Sequence, residues 1–242
     1  MQFELLVQSL TLLQMIPVIL VMLLMLWGVF AGTGRSRNLS LLSFLIALSY
    51  AISLLSVSAI RMDWITMTDW VNWGSYVGGG MIGIYLALLI IYVTIWAFPN
   101  FFSEHKWAII VALIGPIVYE LLHFMSGTEL SSDLGLAWAA TYLILAVLYM
   151  AVIPLYATFH YTRQDRIRGS PLVKWTWVVL IGLLFWFFGE ATVALSVIMQ
   201  WPGYLSFFSE IGVTIVSMPT IGWYLILVGF VFQRRAIQSA KP

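Results

Sequence analysis

The chain contains no cysteine and very little charge. Without cysteine it can form no disulfide, no thiolate metal site and no cysteine nucleophile. Lysine, arginine, aspartate and glutamate make up 9% of the 242 residues, whereas they make up about 25% of an average soluble domain. Hydrophobic residues account for 62% of the chain, and the mean hydropathy is +0.99. This composition indicates an integral membrane protein.

Histidine and the common catalytic motifs are also scarce. The three histidines, His105, His123 and His160, lie far apart in the sequence, so a histidine-ligated haem, copper or zinc centre is not expected. The sequence has no G-x-S-x-G motif, no H-E-x-x-H motif and no phosphate-cradling glycine loop before a helix. We therefore expect no cofactor, no bound metal and no enzymatic activity.

What the sequence does contain is a series of long apolar runs, and a spanning helix needs roughly 20 apolar residues. We predict an all-α integral membrane protein with a single domain, residues 1–242, and seven transmembrane helices. The segment 61–75 is too short and too polar to span, and we expect it to lie on the membrane surface. The predicted helices are 5–31, 39–60, 76–98, 107–125, 136–160, 172–199 and 205–232.

The distribution of basic residues predicts the orientation of these helices. If the amino terminus lies outside, ten of the 11 basic residues fall in segments on the inner side, and the exception is Arg61. By the positive-inside rule the carboxyl terminus is then cytoplasmic, and the protein is a multi-pass protein of the cell membrane. The ten residues are Arg35, Arg37, Lys106, Arg163, Arg166, Arg168, Lys174, Arg234, Arg235 and Lys241.

Two carboxylates inside apolar helices mark the candidate site. Glu190 lies in WFFGEATVAL of the sixth predicted helix, and Glu210 lies in FFSEIGVTIV of the seventh. Placing a charge in the hydrocarbon layer costs at least about 2.5–3.5 kcal/mol on insertion scales, so such residues usually face the bundle interior and have a function. In the predicted orientation both acids lie in the outer half of the bundle.

Helical spacing adds further polar residues to this site. Side chains at intervals of four share one face of the seventh helix with Glu210, and an acid and a histidine three residues apart are neighbours on the fourth helix. Acids beside aromatic rings suit a cationic ligand. The alternative is that protonated acids hydrogen-bond neighbouring helices and hold the bundle together. The predicted ligand-binding residues are Glu190, Glu210, Trp186, Ser206, Thr214, Glu120 and His123.

The helix count, the outside amino terminus, the basic loop TRQDRIRGS after IPLY and the arginines that close the last helix resemble the seven-helix sensor regions of prokaryotic histidine kinases. They also resemble small prokaryotic seven-helix membrane proteins. The topology is similar to that of microbial rhodopsins, whose retinal is held by a lysine in the seventh helix. The seventh helix here has no lysine, and Lys174 lies at the cytoplasmic start of the sixth, so covalent retinal is not expected.

Three functions fit these observations. The first is a receptor or sensor-like module with an outward-facing polar pocket for a small cationic or polar ligand, hinged near Gly189 and Pro219. Because the chain ends at 242 without a kinase domain, its signal would pass to a separate partner, contacted around Arg163, Arg166 and Arg168, rather than to nucleic acid. The second is a non-catalytic structural subunit of a membrane complex. The third is a small proton-coupled transporter, which the apolar inner halves of the last two helices disfavour.

Overall fold

The computed structural model of the protein describes residues 2–61, 133–165, 168–199 and 212–239, with single positions between 84 and 122. Within these residues every regular element is helical. The helices are α1 (Gln2–Ala31), α2 (Gly34–Arg61), α3 (Asp133–Ala146), a π-helical segment (Val147–Val152), α4 (Ile153–Thr162), α5 (Pro171–Ile198) and α6 (Gly212–Ser239).

Four helical stretches are long and apolar enough to cross a membrane: Leu12–Ala31, Ser36–Leu55, Leu136–Thr162 and Pro171–Thr192. Their outward faces carry large apolar side chains such as Trp27 and Phe30, which are 61% and 79% exposed. The fold is therefore all-α and fits a multi-pass membrane protein, as the composition predicts. Three predicted segments fall almost entirely outside the described residues. They are the surface segment 61–75 and the third and fourth helices, 76–98 and 107–125.

The connection between α1 and α2 is shorter than predicted. The sequence suggests a basic loop over 32–38, but α1 ends at Ala31 and α2 already begins at Gly34. Gly34 has φ +54°, a left-handed conformation that glycine adopts without a steric penalty and that reverses the chain here. Consequently Arg35 and Arg37 lie in the first turn of α2 rather than in a loop.

The predicted helix 136–160 is a longer helical stretch with an interruption. It runs from Asp133 to Thr162, and the π-helical segment Val147–Val152 separates α3 from α4. Pro154 is the second residue of α4, two positions after the end of this segment. Proline has no backbone N–H, and its ring conflicts with the carbonyl four residues earlier, so the wider π turn accommodates it.

The sequence predicts the bounds of α5 accurately but places the end of α6 too early. The predicted helix 172–199 corresponds closely to α5, which starts at Pro171, where proline fits the first helical turn. The predicted helix 205–232 ends too early, because α6 continues to Ser239. Arg234 and Arg235 therefore belong to the helix and not to a tail.

Helices α5 and α6 pack more extensively against each other than any other pair in the described part of the chain. Two glycines face each other at their crossing. A Cβ atom added to Gly182 would lie 2.6 Å from the carbonyl oxygen of Gly222, and one added to Gly222 would lie 2.6 Å from the carbonyl oxygen of Gly182. The two backbones are thus in direct contact, as small residues permit in membrane helices. α6 also packs on α1, α1 on α2, and α3 on α5.

The helix ends with most basic residues lie together. The guanidinium carbon of Arg234 on α6 lies 5.9 Å from the ring centroid of Trp27 near the end of α1, and Gln233 donates a hydrogen bond to Thr176 near the start of α5. We call this side of the bundle the basic end. The cationic residues of this end whose side chains the structure describes are Arg37, Arg163, Arg168, Lys174, Arg234 and Arg235, whereas Arg61 closes α2 at the opposite end.

Candidate functional site

Glu190 is held by two hydrogen bonds in the interior of the bundle. The hydroxyl of Tyr142 on α3 donates to Oε2 at 2.7 Å, and the indole N–H of Trp186 on α5 donates to Oε1 at 3.0 Å. The second bond spans one helical turn, where residues i and i+4 are neighbours. Glu190 itself is only partly buried, so each carboxylate oxygen has a fixed donor while the residue keeps some accessible surface.

Three aromatic rings from three helices form a cluster next to this carboxylate. The ring centroid of Tyr50 on α2 lies 4.7 Å from that of Trp186 and 5.2 Å from that of Trp223 on α6. The two tryptophan centroids are 4.9 Å apart. These separations are in the range in which aromatic pairs attract one another beyond simple burial. All three side chains are buried, so the cluster fixes α2, α5 and α6 relative to each other.

A fifth helix joins through a buried amide. Gln14 on α1 donates a hydrogen bond of 2.6 Å from Nε2 to the hydroxyl of Tyr50. We define the Glu190 network as the set of side chains connected in this way, which come from α1, α2, α3, α5 and α6. Its members are Gln14, Tyr50, Tyr142, Trp186, Glu190 and Trp223.

The members of the network share one depth in the bundle. On each of the five helical stretches, one member lies 16 to 20 residues from the helix end at the basic end. At 1.5 Å per residue this is roughly 24–30 Å. Since the hydrocarbon core of a bilayer is about 30 Å thick, the network lies in the half of the bundle away from the basic end.

The network combines a hydrogen-bond acceptor with aromatic rings. A carboxylate offers about four lone-pair sites, and the two described hydrogen bonds use one on each oxygen. The adjacent rings present negative faces that attract cations. The site can therefore interact with a group that carries positive charge.

The structure describes the side chains of two of the predicted site residues. Trp186 and Glu190, one turn apart on α5, are joined by a hydrogen bond. The other predicted site residues belong to the fourth and seventh predicted helices. Glu120, His123, Ser206 and Glu210 lie outside the described residues, as does the side chain of Thr214.

Four members of the network are absent from the sequence-based site: Gln14, Tyr50, Tyr142 and Trp223. Gln14 has a visible signal, because it is the single amide in the apolar run 12–31. The two tyrosines and the tryptophan stand in apolar helices where aromatic residues are common, so their types alone do not distinguish them. Ser49 and Ser53 are also buried on α2.

Fold and site together define an all-α membrane protein with a polar and aromatic network inside its helical bundle. Among the described residues, no group of three or more histidine, cysteine, aspartate and glutamate side chains could hold a metal ion. No family model, no curated protein and no solved structure matches the chain.

Proposed function

We propose that the protein is a seven-helix receptor or sensor-like membrane module with its amino terminus outside. A small cationic or polar ligand binds at the outward side of the Glu190 network, and the response passes to a separate partner at the basic end. The observation that carries the proposal is a partly buried carboxylate beside three aromatic rings, since acids and aromatic faces together suit a cationic ligand.

The depth of the network supports the proposal that the ligand binds from outside. The basic end corresponds to the cytoplasmic side under the positive-inside rule. The network lies roughly 24–30 Å from that end, so it is closer to the outer surface than to the cytoplasmic one. A small ligand that reaches Glu190 from outside then has a short path to the carboxylate.

The helices that carry the site also reach the basic end. This supports the proposal that ligand binding is signalled to a partner at that end. Trp186 and Trp223 belong to α5 and α6, whose other ends carry Thr176 and Gln233 in a direct hydrogen bond. A ligand shifts such a bundle if it binds one arrangement of the two helices more tightly than another. Both helices are continuous between the site and the basic end, so a displacement at one end is transmitted to the other.

One observation favours a second candidate, a non-catalytic structural subunit of a membrane complex. Both carboxylate oxygens of Glu190 already accept hydrogen bonds from the protein. In membrane proteins such bonds between helices stabilise the bundle without any ligand. In this alternative the network holds five helices together, and the exposed apolar faces contact other subunits as well as lipid.

Infrared difference spectroscopy on the purified full-length protein tests the first proposal. Methylammonium chloride is titrated against sodium chloride at equal ionic strength, and the carboxyl bands are recorded. We expect a saturable shift of one band that is absent in Glu190→Gln. The matched control is Asp133→Asn, which removes an exposed acid on the side away from the basic end and should leave the shift intact.

The opposite results select the alternative. If no carboxyl band responds to methylammonium, or if Glu190→Gln shows the same response as the wild type, Glu190 does not bind cations. A Glu190→Gln variant that is less stable and also shows no response would assign the network to bundle assembly. The receptor proposal would then be abandoned in favour of the structural subunit.

A further inference from the structure

The basic end contains a second cluster in which cations lie on aromatic rings. Trp175 on α5 and Phe232 on α6 are stacked, with centroids 4.3 Å apart and an interplanar angle of 12°. Nζ of Lys174 lies 5.1 Å from the Trp175 centroid, and Cζ of Arg235 lies 5.4 Å from the Phe232 centroid. One stacked ring pair thus has a lysine on one member and an arginine on the other.

A third cation on α6 contacts a ring of another helix. Arg234, the residue before Arg235, places its guanidinium carbon 5.9 Å from the centroid of Trp27 on α1. All three distances are within the roughly 6 Å over which cation–π attraction acts. Because Trp175 and Phe232 cover each other's inner faces, Lys174 and Arg235 lie on the two outer sides of the stack. The rings therefore hold three positive charges at separate positions along the basic end.

The cations keep their hydrogen-bonding capacity in this arrangement. A guanidinium near a ring carries five N–H donors, and these can form bidentate bonds to phosphate. Lys174 and Arg235 are exposed. In the described part of the basic end, Asp165 in the loop between α4 and α5 is the one acidic residue, so positive charge dominates.

The surroundings of the cluster fit a lipid better than a soluble anion. Trp27 and Phe30, at the end of α1, are 61% and 79% exposed, and they offer apolar surface beside the cations. Tryptophan at the membrane interface lies at the level of the lipid headgroups. A phosphate placed on these cations would thus have apolar protein surface next to it for an acyl chain.

We propose that Lys174, Arg234 and Arg235, held beside Trp175, Phe232 and Trp27, form a basic surface that binds the phosphate headgroups of anionic phospholipids. This site is separate from the Glu190 network and lies at the other end of α5 and α6. Basic residues next to a membrane attract anionic lipid, each with a modest contribution. Here the rings fix the positions of the cations and so favour a bound headgroup over a diffuse ion atmosphere.

Native mass spectrometry of the full-length protein in neutral detergent tests this site. Phosphatidylglycerol and phosphatidylcholine are added at matched concentrations, and the affinity of the first retained lipid is compared. We expect the wild type to prefer phosphatidylglycerol and Arg235→Gln to bind it roughly fivefold more weakly. Lys174→Gln should show a similar loss, and Arg61→Gln at the opposite end is the matched control with unchanged binding.

Two further arms separate the possible sources of the phosphate. Glycerol phosphate, the water-soluble headgroup, should not displace the lipid at equal concentration; full displacement would overturn the lipid assignment in favour of a soluble phosphate. Equal retention of both lipids, or an unchanged preference in the Lys174→Gln and Arg235→Gln variants, would overturn the site itself. The Arg235→Lys variant keeps the charge, and it should recover part of the affinity.

Discussion

The protein uses tryptophan in two opposite ways at the two levels of its bundle. In the Glu190 network, Trp186 is 1% exposed and donates its N–H to a carboxylate. At the basic end, Trp27 is 61% exposed and presents its ring face to the guanidinium of Arg234. The same side chain thus serves a negative partner with its edge and a positive partner with its face.

This difference follows from the surroundings of each residue. In the interior, leaving the N–H without an acceptor is costly, so the polar edge of the indole determines where the partner lies. At the interface, water or headgroups can satisfy the N–H, so the ring face is free to attract a cation. The comparison predicts large effects on stability at the network and small ones at the basic end.

The largest expected effect comes from removing a tryptophan ring. Trp186→Ala should lower the free energy of unfolding by about 3–5 kcal/mol, because it creates a cavity in a buried cluster. Trp27→Ala should lower it by less than about 1 kcal/mol. Denaturation in detergent followed by circular dichroism measures both values. Similar losses for the two variants would show that the network is not the packed core of the bundle.

An intermediate effect is expected from Tyr142→Phe, which removes the hydroxyl that donates to Glu190. The loss in unfolding free energy should be about 0.5–1.5 kcal/mol if Glu190 is protonated and about 1.5–3 kcal/mol if it is ionised. A double-mutant cycle with Glu190→Gln isolates the pair. Tyr156→Phe, in a residue that is 61% exposed, is the control. A coupling energy near zero would contradict the bond.

The smallest effect is expected from Arg235→Gln, which removes a cation from the Phe232 ring. An exposed cation–π contact contributes about 0.5–1 kcal/mol, and salt should reduce the loss further because the charge is exposed. The unfolding free energy is measured in low and high salt without added lipid. A loss as large as that of Tyr142→Phe would mean that the basic end stabilises the fold as much as the network does.

Much of the fold follows from local sequence properties. Apolar run length predicts α1, α2 and α5 to within a few residues, since a bilayer-spanning helix has a minimum length. The contact between Trp186 and Glu190 follows from a different local property, the spacing of residues i and i+4 on a helix. The orientation and the count of seven helices remain predictions.

The rest of the site depends on contacts between distant parts of the chain. Tyr142 and Glu190 are 48 positions apart, and Gln14 and Tyr50 are 36 apart. Periodicity identifies the face that a residue occupies but not the helix that packs against it. Two local features were also not predicted: the tight turn at Gly34 and the π-helical segment before Pro154. Both are deviations from the regular helix, and hydropathy carries no information about them.

The chain order of the network has a consequence for biosynthesis. A chain is made from its amino terminus, so Gln14, Tyr50 and Tyr142 are synthesised before the segment that carries Glu190. An unpaired acid in hydrocarbon is unfavourable. In this order Tyr142 has already been made, on the helical stretch immediately preceding α5 in the described chain, when the acid is inserted. A hydrogen-bond donor for the Glu190 carboxyl group is thus already present when that group enters the bilayer.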